Sequence, residues 1–192
     1  MRIVHLPVYQ DNPYQRLLMQ AQRDLGMEVI DGGGGGNFMR TALGLWKANV
    51  LHFHWLHPYL LRKSKLGALA RATRFLAEVA LLKQRGSQIE WTIHNLANHE
   101  GLQPMLELVF TRRFAGLVDA FIAHSQSAAE AAQKAFNIPE NKLHVVPHGN
   151  YIGVYPDTID RTMARKRLNL ENELFVFLFL GRIEPYKGIF DV

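Results

Sequence analysis

The sequence predicts an α/β fold in which helices cover a parallel β-sheet. Short apolar segments alternate with longer amphipathic segments along the chain, which is the pattern of repeated strand–helix units. Residues 174–180 are apolar at every position, as is typical of a strand that is buried on both faces of a parallel sheet. Residues suited to helix capping precede the amphipathic segments, as Asn12 does immediately before Pro13.

The first strand is expected at residues 3–6 and the second at residues 27–30. Between them, Asn12 can cap a helix and Gly26 can end it, because glycine takes the left-handed conformation that closes many helices. Helical spacing places four apolar residues on the buried face of this helix: Leu17, Leu18, Ala21 and Leu25.

A run of five glycines at residues 32–36 precedes a helix that Asn37 can cap. The run lacks a dinucleotide-binding spacing and does not join the first strand to the first helix, so we expect a flexible surface loop there. The third strand follows at residues 49–53. Ser64 can cap the next helix. Its expected apolar face carries Leu66, Leu69, Leu76 and Leu81.

The second half of the chain continues the same alternation. One helix is expected to begin at Pro104, and another at Ser127, which forms a capping-box pattern with Glu130. Strands are expected on either side of these helices, at residues 89–93, 120–123 and 143–146.

A loop rich in glycine and proline follows residue 146 and predicts a domain boundary. A short charged helix near Thr162 and the apolar strand at residues 174–180 come after it. One strand cannot form a stable sheet by itself. We therefore expect a first domain at residues 1–155, followed at residues 156–192 by a linker and the incomplete start of a second domain.

The composition narrows the possible functions. The chain has 192 residues and no cysteine, which excludes disulfides and cysteine-ligated zinc sites within it. The longest apolar run is too short to span a bilayer, and the first residues lack a signal-peptide pattern, so we expect a cytoplasmic protein. The formal net charge of +5 favours anionic partners such as phosphates and acidic lipids, and no nucleic-acid partner is expected.

A basic turn directly follows the apolar strand at residues 174–180. Ligands of parallel sheets bind at the carboxyl ends of strands, and the first turn of a helix attracts anions. Arg182 and Lys187, with Gly188 opening the next helix, therefore suit a diphosphate. An ordinary basic turn is the alternative interpretation.

Histidines also follow the expected strands. His94 comes at the carboxyl end of the strand at residues 89–93, where it could hydrogen-bond a sugar hydroxyl or stabilise charge near a reacting bond. The alternative is a structural histidine that is bonded to a neighbouring loop.

A second group of histidines follows the third strand. His52 and His54 are two residues apart, so their side chains project to the same side of a strand and could chelate a metal, with His57 nearby. A metal-dependent hydrolase built on these three histidines is therefore one alternative function. No acidic cluster accompanies them, so we expect no metal, and a cleft in which His54 and Trp55 contact a sugar is favoured.

The turn at residues 181–188, with its pattern G-R-I-x-P-x-K-G after a buried strand, resembles the start of the nucleotide-sugar domain of family 4 glycosyltransferases. The stretches at residues 145–150 and 165–170 resemble the segments that join the two domains in that family. The resemblance implies a GT-B fold with two Rossmann-like domains. This chain would hold the amino-terminal, acceptor-side domain and the truncated start of the second.

The resemblance also implies a reaction and its residues. A retaining enzyme would transfer a sugar from a nucleoside-diphosphate sugar to a glycan, a glycolipid or a small-molecule acceptor, without a cofactor. Arg182 and Lys187 would bind the donor diphosphate, and His94, in the family's T-x-H context, would lie beside the transferred sugar. The weaker acceptor or cleft candidates are Asn12, Tyr14, His54, Trp55 and Asn150. A non-catalytic Rossmann-type binding module remains the alternative from another class.

The chain departs from the family at the first strand–helix turn. Many members carry a glycine-rich turn there that approaches the donor phosphate, whereas this chain has residues 9–14 without glycine. Asn12 or Tyr14 could take the place of that contact.

A basic stretch near the start of the long helix suggests a further partner. No acidic residue interrupts it before Glu78, so it could contact anionic lipid or a lipid-linked acceptor at a membrane surface. A solvated helical face is the alternative. The cations concerned are Arg62, Lys63, Lys65, Arg71 and Arg74.

Overall fold

The computed structural model describes residues 1–34, 47–98, 101–181, 183 and 187–189. The chain divides into two compact units, Met1–Gly149 and Asn150–Val192. The assignment of domains to residues 1–155 and 156–192 stays a prediction. The helix expected from Asn37 lies outside the described residues, apart from Lys47 at its expected end.

Within its described part, the first unit contains a six-stranded parallel sheet, which confirms the predicted α/β class. The strand order is β2-β1-β3-β4-β5-β6. The strands are β1 (Arg2–Leu6), β2 (Glu28–Asp31), β3 (Val50–Phe53), β4 (Gln88–Thr92), β5 (Ala120–Ala123) and β6 (Leu143–Val145).

The order of the strands reverses at β1, which positions the site. Ile3 pairs with Val29 of β2 on one side and with Val50 of β3 on the other. The sheet therefore grows in opposite directions from β1, and ligands of open α/β sheets bind at the carboxyl ends of strands next to such a switch point. Leu6 and Phe53 lie at that end of β1 and β3.

Helices connect the strands, and two of the expected caps are confirmed. The side-chain oxygen of Asn12 accepts a hydrogen bond from Tyr14 N, and Ser64 Oγ accepts one from Gly67 N. The described helices are α1 (Pro13–Asp24), α2 (His57–Leu60), α3 (Lys65–Gln84), α4 (Pro104–Ala115), α5 (Gln126–Phe136) and α6 (Arg161–Arg167), with a 3-10 turn at Glu140–Lys142.

The predicted buried face of α1 is wrong in part. Ala21 and Leu25 are exposed, whereas the buried residues of this helix are Gln15 and Met19. Gln15 is buried because its side chain is satisfied locally. Its amide nitrogen donates to Pro7 O at 2.7 Å, and its oxygen accepts from Tyr9 N at 2.9 Å. A polar side chain therefore holds the turn between β1 and α1.

The predicted buried face of α3 is also wrong in part, since only Leu76 of its four residues packs against the core. Leu66, Leu69 and Leu81 are exposed. The helix packs against α2 and α4, and the larger residues of its opposite face fill the core. The buried set keeps a regular helical spacing and consists of Ala68, Ala72, Phe75, Val79 and Leu82.

The cap of α5 differs from the expected capping box. Ser125, not Ser127, is the capping residue, and its hydroxyl oxygen accepts a hydrogen bond from Ala128 N at 3.2 Å. Ser127 lies inside the first turn. Both serines are possible caps by sequence, and the helix begins earlier because β5 ends at Ala123.

Aromatic side chains fill the core between α3, α4 and the sheet. Phe53 is fully buried and contacts Phe75 and Phe114, with ring centroids 5.7 and 5.1 Å away. Burying one such side chain stabilises the fold by about 1.5–3 kcal/mol. This cluster anchors β3 and thereby the polar residues that follow it.

The second unit, Asn150–Val192, contains the helix α6. Asp160 caps α6 by accepting a hydrogen bond from Met163 N. The buried strand predicted at residues 174–180 is wrong for this chain, because these residues form no strand and Phe177 is 92% exposed. A strand needs a paired neighbour, and none lies within the described residues of this unit.

Candidate active site

A row of histidines marks the carboxyl ends of five neighbouring strands. Adjacent strands lie about 4.8 Å apart, so side chains at their ends stand side by side. The centroids of the imidazole rings are accordingly 5.5 Å apart for His54 and His94, 5.3 Å for His94 and His124, and 5.1 Å for His124 and His148. His5 of β1 extends this row behind His54, with ring centroids 5.2 Å apart.

Tyr14 covers the row from the first turn of α1. Its ring centroid lies 6.1 Å from that of His54, 5.2 Å from His94, 5.1 Å from His124 and 4.9 Å from His148. The Asn12 cap and the hydrogen bonds of Gln15 fix the start of α1, and thereby fix the position of the Tyr14 backbone that carries this ring.

Trp55 lies against the middle of the row. Its indole stacks on the imidazole of His94, with centroids 4.4 Å apart and ring planes 16° apart. The ring of Tyr9 contacts the indole of Trp55 edge-on, with the two centroids 5.1 Å apart. Both Trp55 and His94 are partly exposed, so this stack presents a flat aromatic surface at the sheet edge.

Hydrogen bonds join three of the histidines to one glutamine. His5 Nε2 lies 2.7 Å from Gln22 Oε1, and His5 Nδ1 lies 2.9 Å from His54 Nε2. A further hydrogen bond of 3.2 Å joins His54 Nδ1 to His94 Nε2, and we call the series from Gln22 to His94 the hydrogen-bond chain. It therefore runs from a helix through the buried strand ends to the partly exposed His94.

Burial keeps these histidines neutral. Burial first, and the neighbouring His124 and His148 second, lower the pKa of His94 to about 4. Burial also lowers the pKa of His5 to about 4, although the hydrogen bond to Gln22 opposes the shift. The pKa of His54 lies well below its usual range, because of burial first and of the adjacent histidines second. At neutral pH His5, His54 and His94 therefore offer hydrogen-bonding groups without charge.

His52 forms a branch behind the row. It is fully buried, its Nε2 lies 2.7 Å from Thr92 Oγ1, and its Nδ1 has no hydrogen-bond partner among the described residues. Glu90 Oε2 is 3.8 Å from that Nδ1, and burial raises the pKa of this carboxyl group. Burial also lowers the pKa of His52 well below its usual range.

One group of buried histidines has the proximity that a metal site needs. One ring nitrogen from each of His5, His52 and His54 lies within 4.8 Å of the others. Both nitrogens of His5 and both of His54 already make hydrogen bonds, so a metal ion would have to displace some of these. His57, the third member of the predicted metal group, instead begins α2 and is exposed.

The structure brings several predicted site residues together. Tyr14 and Trp55 each contact both His54 and His94 at the carboxyl ends of the strands. Asn12 lies at the start of the same helix as Tyr14, and its side-chain oxygen is used as a helix cap. A cavity beside Trp55 has a volume of about 30 Å³, which is room for water but too little for a sugar.

The remaining predicted residues belong to the second unit. Asn150 Oδ1 accepts a hydrogen bond from Ile152 N within a local turn. Lys187 Nζ lies 5.5 Å from the centre of the Phe179 ring, and a Cβ added to Gly181 would come within 3.1 Å of that nitrogen. Gly188 has a positive φ of 63°. Arg182 lies outside the described residues.

Four members of the site were not predicted: His5, Gln22, His124 and His148. For the histidines a signal existed, because each lies in or closely follows an expected strand of the same parallel sheet. Collecting every strand-end histidine would have found the row. Gln22 gave no signal, since it is one of several polar residues on an amphipathic helix.

Comparison with known proteins gives the family. The model described as Glycosyltransferase Family 4 matches residues 36–150. A D-inositol 3-phosphate glycosyltransferase of Nocardioides sp. is 27% identical over 139 residues, covering 72% of this chain and 30% of the relative. A GDP-mannose:glycolipid 4-beta-D-mannosyltransferase of Xanthomonas campestris pv. campestris is 29% identical over 151 residues, covering 79% of this chain and 38% of the relative.

A solved structure shows the same fold. Anabaena HepE, crystallised in complex with UDP-glucose, superposes with a TM-score of 0.60 and 11% sequence identity, covering 98% of this chain and 55% of that one. The chain therefore spans 30% to 55% of the length of these similar proteins. The match over residues 36–150 and the parallel α/β sheet lead to one conclusion: the chain belongs to Glycosyltransferase Family 4.

Proposed function

We propose that the protein transfers a sugar from a nucleoside-diphosphate sugar to an acceptor hydroxyl, with retention of configuration at the anomeric carbon. The observation that carries the proposal is the position of His94, which lies partly exposed at the carboxyl end of β4 in a chain of this family. Because the chain spans 30% and 38% of two curated relatives, the reaction is proposed for the whole protein, of which this chain would be the amino-terminal part.

The chemistry requires a charge to be stabilised on the donor. The bond between the anomeric carbon and the diphosphate oxygen breaks, and its electron pair leaves with the diphosphate. The acceptor oxygen then bonds to that carbon from the face on which the diphosphate leaves, and it passes its proton to the departing diphosphate oxygen. Arg182 and Lys187 would neutralise the leaving diphosphate, and Gly188 would let the backbone approach it closely. A side chain at Gly181 would crowd Lys187 Nζ, which lies 3.1 Å from the position of an added Cβ, so the glycine leaves room for the ammonium group in this turn.

His94 would act on the sugar rather than on the diphosphate. A neutral imidazole suits a contact with a sugar hydroxyl, and burial keeps the pKa of His94 at about 4. The stacked Trp55 would hold the ring orientation and offer an apolar face to the sugar. We place Tyr14 beside His94 at the carboxyl ends of the strands, with His54 buried behind His94 and with Asn12 and Asn150 as further candidates.

The names of the similar proteins suggest donors and acceptors. One relative is named for GDP-mannose and a glycolipid, others for an inositol 3-phosphate, and HepE was crystallised with UDP-glucose. We therefore propose a nucleoside-diphosphate hexose as donor and a saccharide or lipid-linked acceptor that carries negative charge. The formal net charge of +5 agrees with such an acceptor.

A peripheral contact with an anionic membrane is proposed for the front of α3. Arg62, Lys63 and Lys65 are exposed there, and Leu66 is 80% exposed beside them. Two cations of the predicted patch are engaged elsewhere, since Arg71 donates to Pro58 O and Arg74 pairs with Glu78 at 2.7 Å. The contact would thus depend on the first three cations. No described helix has the length and apolar character to cross a membrane.

A transfer assay tests the proposed function. The protein is incubated with UDP-glucose or GDP-mannose and either an inositol phosphate or a lipid-linked saccharide, and the anomeric configuration of any product is determined by NMR. We expect one donor–acceptor pair to give a product with retained configuration. An inverted product would contradict retention. Binding of donors without turnover would favour a binding module, and hydrolysis that depends on a stoichiometric metal would favour a hydrolase.

A further inference from the structure

We propose that Gln22, His5 and His54 are positioning residues that fix the tautomer of His94, so that His94 accepts a hydrogen bond from a sugar hydroxyl. The inference rests on the proposed function only for the identity of the ligand. The hydrogen bonds themselves are a property of the first unit. Gln22 and His5 do not belong to the predicted site and act on it only through His54.

The donor and acceptor in each bond of the hydrogen-bond chain follow from Gln22, its first residue. Gln22 presents its carbonyl oxygen to His5, and a carbonyl oxygen can only accept. His5 Nε2 must therefore carry the hydrogen. A neutral imidazole has one N–H and one lone pair, so His5 Nδ1 is an acceptor, and the hydrogen between it and His54 belongs to His54 Nε2.

The hydrogen positions of His54 and His94 follow in the same way. With its hydrogen on Nε2, His54 offers the lone pair of Nδ1, and His94 Nε2 donates to it across 3.2 Å. Burial of His5 and His54 disfavours a proton that would make either ring a double donor. One helix side chain thereby selects the same Nε2–H form in three successive histidines.

The consequence concerns the partly exposed His94. The Nε2–H group of His94 is bonded to His54 inside the protein, so only the lone pair on Nδ1 is left to bind a ligand. In this tautomer His94 can accept a hydrogen bond but cannot donate one from Nδ1. Stacking on Trp55, with ring planes 16° apart, restrains rotation of the imidazole about its Cβ–Cγ bond. A hydroxyl of the transferred sugar, which can donate, is the matching ligand group.

Long-range ¹H–¹⁵N NMR of the imidazole rings in the 192-residue chain tests the proposal. These spectra distinguish a protonated ring nitrogen from one with a lone pair. In the unmodified chain we expect the Nε2–H form for His5, His54 and His94. An Nδ1–H form at His54 or His94 would overturn the proposal, whether or not any variant folds.

Three variants of α1 test whether Gln22 is the origin. Gln22→Met keeps the approximate shape but removes the acceptor, and we expect mixed tautomers at His5 and His94. Gln22→Glu restores an acceptor oxygen and should restore the Nε2–H forms. Gln20→Met is the matched control, because Gln20 is exposed and donates only to Asp24 among described residues. Ring nitrogens of His94 that are unchanged in Gln22→Met would overturn the link.

Turnover provides a second readout that is independent of the spectra. Gln22→Met should lower kcat by about tenfold, near the lower end of what loss of an orienting partner costs a functional histidine, with the donor KM nearly unchanged. Gln22→Glu should recover most of kcat. A loss confined to KM would contradict a positioning role. If the spectra agree but no transfer occurs in any assay, the hydrogen-bond chain stands and the proposed function fails.

Discussion

The indole of Trp55 stacks on the imidazole of His94, with ring centroids 4.4 Å apart and planes 16° apart. Trp55 follows β3 and His94 follows β4, so the stack joins the ends of two strands that pair from Val50 to Phe53. The arrangement gives a partly exposed aromatic surface whose orientation is set by the sheet.

The first prediction follows from this stack. Trp55→Ala should lower kcat/KM by about two- to tenfold, because a stacked aromatic pair contributes about 0.5–1.5 kcal/mol beyond its buried area. Trp55→Phe, which keeps a ring over His94, should retain most of the activity. Steady-state kinetics of both variants measure the effect. Equal losses in the two variants would show that stacking on His94 is not the relevant interaction.

The second prediction concerns acid stability. The pKa values of His5 and His94 are about 4 in the folded chain, against about 6.5 for an unfolded histidine. Above pH 6.5 both states are neutral and these groups have no effect. Below it the unfolded state binds protons first, so the free energy of unfolding should fall by about 1.4 kcal/mol per pH unit for each histidine, levelling off near pH 4.

Urea unfolding at several pH values between 7.5 and 4.5 measures this slope. His5→Gln should be less stable overall but should show a shallower dependence on pH, because one of the depressed groups is gone. A stability that is constant from pH 7 to pH 5 would contradict the burial of neutral histidines in the row.

Much of the fold was predictable because alternation and capping are local signals. Asn12 and Ser64 cap helices where expected, and the parallel class is confirmed. The buried face of α3 was not predictable from the size of its apolar residues alone. The side that packs carries Ala68 and Ala72, whose small side chains matter only once a neighbouring element is present.

The site was predictable where a residue directly follows a strand that the sequence pattern predicts. His54, Trp55 and His94 follow expected strands and meet in the structure. Gln22 could not be found in this way, because its role depends on a buried imidazole that lies 17 residues away in sequence. The positions of side chains across a helix and a strand depend on packing, which local patterns do not encode.

The third prediction concerns the donor. Lys187→Ala should cost about 2–4 kcal/mol of transition-state stabilisation, as does removal of one preorganised electrostatic donor. The reduction should appear mainly in kcat, because charge on the diphosphate develops as the bond breaks. Lys166→Ala, in the exposed last turn of α6, is the control. Turnover of Lys187→Ala close to that of the unmodified protein would remove Lys187 from the donor site.

The fourth prediction concerns the membrane. The chain should sediment with anionic vesicles at low salt and much less at high salt, because each cation near the surface contributes about 1 kcal/mol and is screened beyond the Debye length. Replacing both Lys63 and Lys65 by alanine should reduce binding strongly. Lys134→Ala, an exposed cation on α5, should not. Equal sedimentation with neutral and anionic vesicles would contradict an electrostatic contact.

The role of His94 at the reaction centre is tested most directly by the turnover of His94→Ala relative to the unmodified protein, measured together with the melting temperature. His94 is partly exposed, so water can replace its hydrogen bond to His54 and the fold should persist. We predict a fall in kcat of about 10²–10³-fold, as for removal of one transition-state contact, with a nearly unchanged melting temperature. Turnover near that of the unmodified protein in a folded variant, or loss of the fold without a specific loss of activity, would contradict this role.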